Sequence, residues 1–325
     1  MILLNVVILI VGFVALVKGA DLFVDGSAAL AKIFHVPGLI IGLTIVALGT
    51  SAPELAVSTT AAIQGSNEIA LSNVVGSNIF NLLCVLGACA VIHAVPVDKI
   101  VRKRDFPISI AAACFVLATV LVTASRVNGF SEVRMNADAG VIGRLAGLIL
   151  LAAFLVYIGI LVYNARKHPA KEEEGENKPV WKCLLFIVIG LALIVGGGQA
   201  VVNSAKAIAL AAGMTETLVG LTIVAVGTSL PELVTSVTAA RKGETAMAVG
   251  NAVGSNIFNL MLILGISTLI HPITVNWASV FDLGILIVIS IITILFSISK
   301  SRINRWEGIV MLSLYVADVI FAIVR

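Results

Sequence analysis

Two six-residue stretches place a carboxylate behind a helix break in the middle of an apolar segment: Gly49-Thr50-Ser51-Ala52-Pro53-Glu54 and Gly227-Thr228-Ser229-Leu230-Pro231-Glu232. Pro53 offers no N–H to the carbonyl of Gly49 and crowds it, and Pro231 does the same to Gly227, so backbone oxygens are expected to come free there. A glutamate at the centre of a bilayer is costly unless it is paired, protonated or bound to an ion. Neither segment carries a basic residue to pair with Glu54 or Glu232. The hydroxyls of Thr50, Ser51, Thr228 and Ser229 surround the two carboxylates with further oxygen. An all-oxygen shell suits a hard cation such as Ca²⁺, whereas zinc or copper would call for His or Cys.

A second pair of motifs follows each break, Gly76-Ser77-Asn78-Ile79-Phe80-Asn81 and Gly254-Ser255-Asn256-Ile257-Phe258-Asn259. Ser77 and Asn81 are four residues apart, as are Ser255 and Asn259, so each pair shares one helix face and can add neutral ligands. Gly76 and Gly254 are expected to serve close helix packing.

The elements that must position these residues are membrane helices. The 325 residues are 59% hydrophobic and only 12% charged, with a mean hydropathy of +1.11, which excludes a water-soluble globule. The net charge of +3 is spread over short loops without interleaved aromatics, so nucleic acid is not an expected partner. The four cysteines lie in apolar runs and lack paired spacing, so neither a disulfide framework nor a zinc site is expected. Apolar segments at 2–27, 39–63, 69–92, 106–124, 141–163, 181–208, 217–240, 246–270, 280–299 and 307–324 are each long enough to cross a bilayer.

Residues 42–87 align without a gap onto 220–265 at a constant offset of 178, with 29 of 46 pairs identical, including Thr, Ser, Pro, Glu and Asn. The chain is therefore expected to be an all-α polytopic membrane protein of ten transmembrane helices. The first five-helix repeat is 1–163, a polar linker is 164–180, and the second repeat is 181–325. Five spans per copy is an odd number, so the second copy enters from the opposite face, giving inverted-topology repeats and favouring alternating access. With the N-terminus outside, fifteen Lys and Arg fall in inner loops and five in outer loops, which places the linker in the cytoplasm. Lys18 and Asp21 are three apart, a spacing that allows a pair, and Asp21 and Asp25 are otherwise assigned to an outer vestibule.

The paired GTSxPEL and GSNIFN motifs resemble the α-repeats of the sodium/calcium exchanger family, within the cation/calcium antiporter superfamily. The resemblance implies exchange of Na⁺ for Ca²⁺ at a central cluster, with Glu54 and Glu232 shared between the ions. More than two Na⁺ replacing one Ca²⁺ on a fixed −2 site would make the exchange electrogenic, and the lack of an N-x-S/T sequon fits a prokaryotic plasma membrane. It implies ligands from Thr50, Ser51, Thr228 and Ser229, backbone carbonyls from Ala47 and Ala225, flanking Na⁺ ligands at Ser77 and Ser255, and an amide from Asn81. At Asn259 several relatives, including potassium-dependent exchangers, carry Asp, so potassium dependence is not expected. It implies sliding of the first and sixth spans. No cofactor, enzymatic activity or obligate protein partner is expected. A Ca²⁺/H⁺ exchanger is the alternative, although that branch usually has Gly-Asn where this chain has Gly49-Thr50 and Gly227-Thr228. A cation channel is less favoured, because inverted halves argue for gating on two sides.

Overall fold

The computed structural model describes residues 2–65, 67–124, 134–135, 137–167, 169–170, 179–214, 225–299 and 301–324. The centre of the linker and the first residues of the second motif, 220–224, lie outside the described residues.

The helices are α1 (Ile2–Ile33), α2 (Gly38–Thr50), α3 (Ala52–Ile63), α4 (Ile69–Ile92), α5 (Val101–Ala124), α6 (Arg144–Lys167), α7 (Val180–Ala211), α8 (Ala225–Thr228), α9 (Leu230–Arg241), α10 (Thr245–Ile270), α11 (Trp277–Ser299) and α12 (Arg305–Val324). Among the described residues eight helices are long and apolar enough to span a membrane, and α2 with α3 forms a ninth, bent by 49°. The expected seventh span, 217–240, is described only from Ala225 onward, as α8 and α9. Large apolar side chains such as Leu3, Leu155, Trp306 and Val324 stand on the outer surface, as a bilayer requires. The protein is an integral membrane protein.

Four details depart from the sequence reading. Helix α6 runs on through Asn164, Ala165 and Arg166 to Lys167, because basic residues in a last turn favour the helix dipole. Two short antiparallel ladders accompany the helices. β1 (Val95–Pro96) pairs with β4 (Arg302–Ile303), and β2 (Asp138–Ile142) pairs with β3 (Ile273–Asn276). Asp21 and Asp25 pair with Lys242, whose Nζ is 3.3 Å and 2.7 Å from their Oδ1 atoms. They therefore stand at the end of the bundle that holds the α9–α10 turn and the C-terminal end of α1, and Lys242 takes the place offered to Lys18. Gly76 is exposed with open space where a Cβ would stand, so it does not serve packing. Gly254 does: a Cβ there would lie 2.9 Å from the Leu43 Cα.

Close packing elsewhere follows the small residues. Helices α1 and α7 run antiparallel along a glycine seam in which a Cβ at Gly12, Gly19 or Gly26 would come within 3.0, 2.8 and 2.8 Å of the carbonyl oxygens of Gly197, Gly190 and Cys183. Backbones can approach this closely only where side chains are missing. The last helix of each half packs on the other half: Gly308 of α12 lies on Gly87 of α4, and Gly147 of α6 lies on Gly265 of α10. The ladders follow the same exchange, since β1 and β3 occupy equivalent places after α4 and α10.

Candidate functional site

Both breaks open at a serine. Ser51 (φ −81°, ψ 8°) and Ser229 (φ −94°, ψ 6°) leave the helical region in the same way, and the next helix starts with proline in its first turn. A proline tolerates that position because its missing N–H would be unpaired there anyway. Each glutamate then sits one residue past the proline, in the first turn of α3 or α9, where the helix dipole favours negative charge.

Glu54 and Glu232 are fully buried, and each is held by the serine of the opposite break. Ser51 Oγ donates to Glu232 Oε1 at 3.0 Å, and Ser229 Oγ lies 3.0 Å from Glu54 Oε1. Ser77 joins the first carboxylate, with its Oγ 3.3 Å from Glu54 Oε1 and 2.9 Å from the Ser229 hydroxyl. Ser255 is buried beside Glu232.

The amides of α4 and α10 meet one another. Asn78 and Asn256 exchange reciprocal bonds, each Nδ2 donating to the other's backbone carbonyl at 3.3 Å. Asn81 Nδ2 donates to Asn256 Oδ1 at 3.2 Å, and Asn259 Nδ2 to Asn78 Oδ1 at 3.0 Å. Asn81 opens a π-helical turn, Asn81–Val85, and Asn259 lies in its counterpart, Phe258–Ile263. Such turns interrupt the α-helical hydrogen-bond ladder and are common at functional sites.

Four buried carboxylate and amide oxygens in this cluster receive no hydrogen bond from the protein, Glu54 Oε2, Glu232 Oε2, Asn81 Oδ1 and Asn259 Oδ1, and the Ser255 hydroxyl beside Glu232 also has no partner. Their amide and serine neighbours hold the other oxygen or nitrogen of the same side chains, so each lone acceptor is oriented rather than free to turn. A buried acceptor without a donor costs roughly 1–3 kcal/mol. All four are oxygens of the kind a hard cation takes.

The remaining expected positions fall around this cluster. Thr50 Oγ1 donates to Asn251 Oδ1 at 3.0 Å and also lies 3.1 Å from the Val46 carbonyl. Thr228 Oγ1 is 3.5 Å from Asn73 Oδ1. The Ala47 carbonyl still receives the Ser51 N–H at 3.0 Å, because the helix bond pattern persists up to the serine. At the second break the Ser229 N–H turns instead to Val226, at 3.2 Å, one residue closer than the Ala225 that begins α8.

Sequence reasoning passed over an outer ring. Asn251 Nδ2 donates to Ser236 Oγ at 2.8 Å and to the Glu232 carbonyl at 3.4 Å, and Asn73 Nδ2 donates to Ser58 Oγ at 2.9 Å and to the Glu54 carbonyl at 3.3 Å. Asn73 and Asn251, Ser58 and Ser236, and Asn78 and Asn256 all obey the offset of 178. The same repeat comparison that exposed the glutamates could have found them.

A polytopic helical membrane protein whose buried centre is a duplicated set of carboxylate, amide and hydroxyl oxygens is a membrane transporter for hard cations in form. The comparisons make the class definite: the sequence model of the sodium/calcium exchanger protein family matches residues 4–163 and 182–324. The chain belongs to that family. It is 36% identical over 326 residues to the putative antiporter CaxA of Alkalimonas amylolytica, covering 97% of each chain. It is 34% identical to the sodium/calcium exchanger MaX1 of Methanosarcina acetivorans, covering 98% of each. Among solved structures it resembles the sodium-calcium exchanger NCX_Mj soaked with Na⁺ and Sr²⁺, with a TM-score of 0.82, 32% identity and 98% of each chain covered.

Proposed function

We propose that the protein is an electrogenic antiporter that exchanges Na⁺ for Ca²⁺ by alternating access, with Glu54 and Glu232 as the shared ion ligands. The observation that carries this reading is the set of four buried acceptors without donors. Two carboxylates match the charge of one Ca²⁺, and the flexible oxygen geometry that Ca²⁺ accepts suits ligands drawn from four separate segments. Asn81 and Asn259 supply amide oxygens. Ser51, Ser229, Ser77 and Ser255 line the same centre, Thr50 and Thr228 brace it, and the carbonyls of Ala47 and Ala225 extend it along α2 and α8. Sodium at the same oxygens competes with calcium for the carboxylate pair, so only one load occupies the centre at a time.

The membrane arrangement follows from the same reading. Ten spans form two inverted five-helix repeats, 1–163 and 181–325, joined by the cytoplasmic linker 164–180, with the N-terminus outside a plasma membrane. The reciprocal bonds of Ser51 with Glu232 and Ser229 with Glu54 support an in-plane two-fold axis through the site, as do those of Asn78 with Asn256. The α1–α7 pair, joined by its glycine seam, is the element expected to slide across the bundle as a unit.

Calcium-45 uptake into proteoliposomes loaded with Na⁺, K⁺ or a proton gradient tests the proposal, comparing the native chain with Glu54→Gln and Glu232→Gln. Uptake that needs outward Na⁺ and is lost in either variant is expected. Uptake that ignores Na⁺ and follows the proton gradient would replace the coupling ion. Absence of calcium uptake under every gradient would overturn the substrate.

A further inference from the structure

A groove of about 910 Å³ runs between α5, α11 and α12, and no residue of the ion cluster lines it. Its wall is apolar, with Leu117 and Leu121 from α5, Ile285 and Val288 from α11, and the rings of Phe281 and Phe321, tilted at 32° with centroids 5.4 Å apart. Gly284 lies in it with open space where a Cβ would stand. In a bilayer such a lateral concavity faces hydrocarbon, and an acyl chain is the molecule at hand to fill it.

One end of the groove is different. Arg134 and Trp277 both line it there. The segment carrying Arg134 is tied to the first turn of α11: the Ala278 N–H donates to the Met135 carbonyl at 3.0 Å, and the Trp277 N–H to the Ala137 carbonyl at 3.1 Å. Tryptophan is the residue of the headgroup level in membrane proteins. None of the ion pairs among the described residues uses Arg134. Asp318, the other charged residue of the lining, is engaged in an interaction of its own.

We propose that this groove is a binding site for one anionic phospholipid, its acyl chain lying between α5, α11 and α12 and its phosphate on the Arg134 guanidinium. The planar fork of Arg matches a phosphate in two parallel hydrogen bonds, which a free carboxylate-lined or neutral rim would not. The apolar wall supplies retention, and Arg134 supplies headgroup preference because phosphatidylcholine offers the same phosphate only beside a trimethylammonium that a guanidinium repels, so the two can be separated by substitution.

The test is native mass spectrometry of the full-length protein released from vesicles of dioleoylphosphatidylglycerol and dioleoylphosphatidylcholine in equal amounts. The native chain is expected to retain one phosphatidylglycerol in preference to phosphatidylcholine. Gly284→Trp, which fills the groove, is expected to lose that adduct, and Val288→Trp serves the same purpose should Gly284→Trp fail to fold. Arg134→Gln is expected to keep a lipid and lower the preference for phosphatidylglycerol about fivefold, as expected for one basic residue near the surface. Retention of the adduct at native level in a folded groove-filling variant would overturn the site. Equal retention of both lipids by the native chain, or an unchanged preference in Arg134→Gln, would overturn the headgroup assignment and the proposal with it.

Discussion

At the scale of single residues, the division of labour in the ion cluster is between side chains that hold and side chains that are held. Asn251 touches no lone acceptor, yet it joins the Thr50 hydroxyl, the Ser236 hydroxyl and the Glu232 backbone. Asn251→Ala is expected to lower the unfolding free energy by about 1–3 kcal/mol, because it leaves buried partners unsatisfied. It should also weaken calcium uptake although both glutamates remain. Thermal unfolding in detergent and calcium-45 uptake measure the two effects, and a variant with native stability and native uptake would show that the ring is ornamental. The glutamates, serines and amides of the cluster were legible in the sequence because polar identities recurring at one offset stand out against apolar helices. The pair of Lys242 with Asp25 was not, since its members are 217 residues apart and local spacing offered Lys18 instead.

At the scale of elements, glycine decides which helices can touch. A methyl group at Gly19 would stand 2.8 Å from the carbonyl oxygen of Gly190 and from the backbone nitrogen of Ile194, atoms that cannot rotate away. Gly19→Ala is expected to cost about 1–3 kcal/mol through forced separation of α1 from α7. Gly76→Ala meets nothing within 4 Å and is expected to be neutral or slightly stabilising. Melting temperatures of the two variants provide the check, and equal values would mean that the α1–α7 seam is looser than its geometry. Most spans were readable within a few residues, because twenty apolar residues between polar stretches is a strong signal. The strands were not: β1 and β4 are two residues each, too short for any alternation, and they exist only because α4 and α12 bring them together.

At the scale of the whole molecule, the reading of a fixed carboxylate pair in an inverted bundle has an electrical consequence. If three Na⁺ return for each Ca²⁺, one net charge crosses per cycle, and moving one charge through 100 mV is worth about 2.3 kcal/mol. A potassium diffusion potential set with valinomycin is then expected to shift the equilibrium calcium ratio about tenfold for each 60 mV. A ratio indifferent to voltage would mean electroneutral exchange. The helix count illustrates what sequence supplies at this scale and what it does not. Hydropathy marks where the chain crosses, but the interleaving of α6 with α10 and of α12 with α4 comes from packing between halves and leaves no mark on either segment alone.

That interleaving bears on how the two halves could assemble. Each break supplies the serine that the other glutamate needs, and each half lends its last helix and one strand to its neighbour. On the proposed inverted arrangement, a single half present as two copies lying in opposite orientations would meet itself through these same contacts. The two halves, expressed from separate genes, would be expected to find each other again.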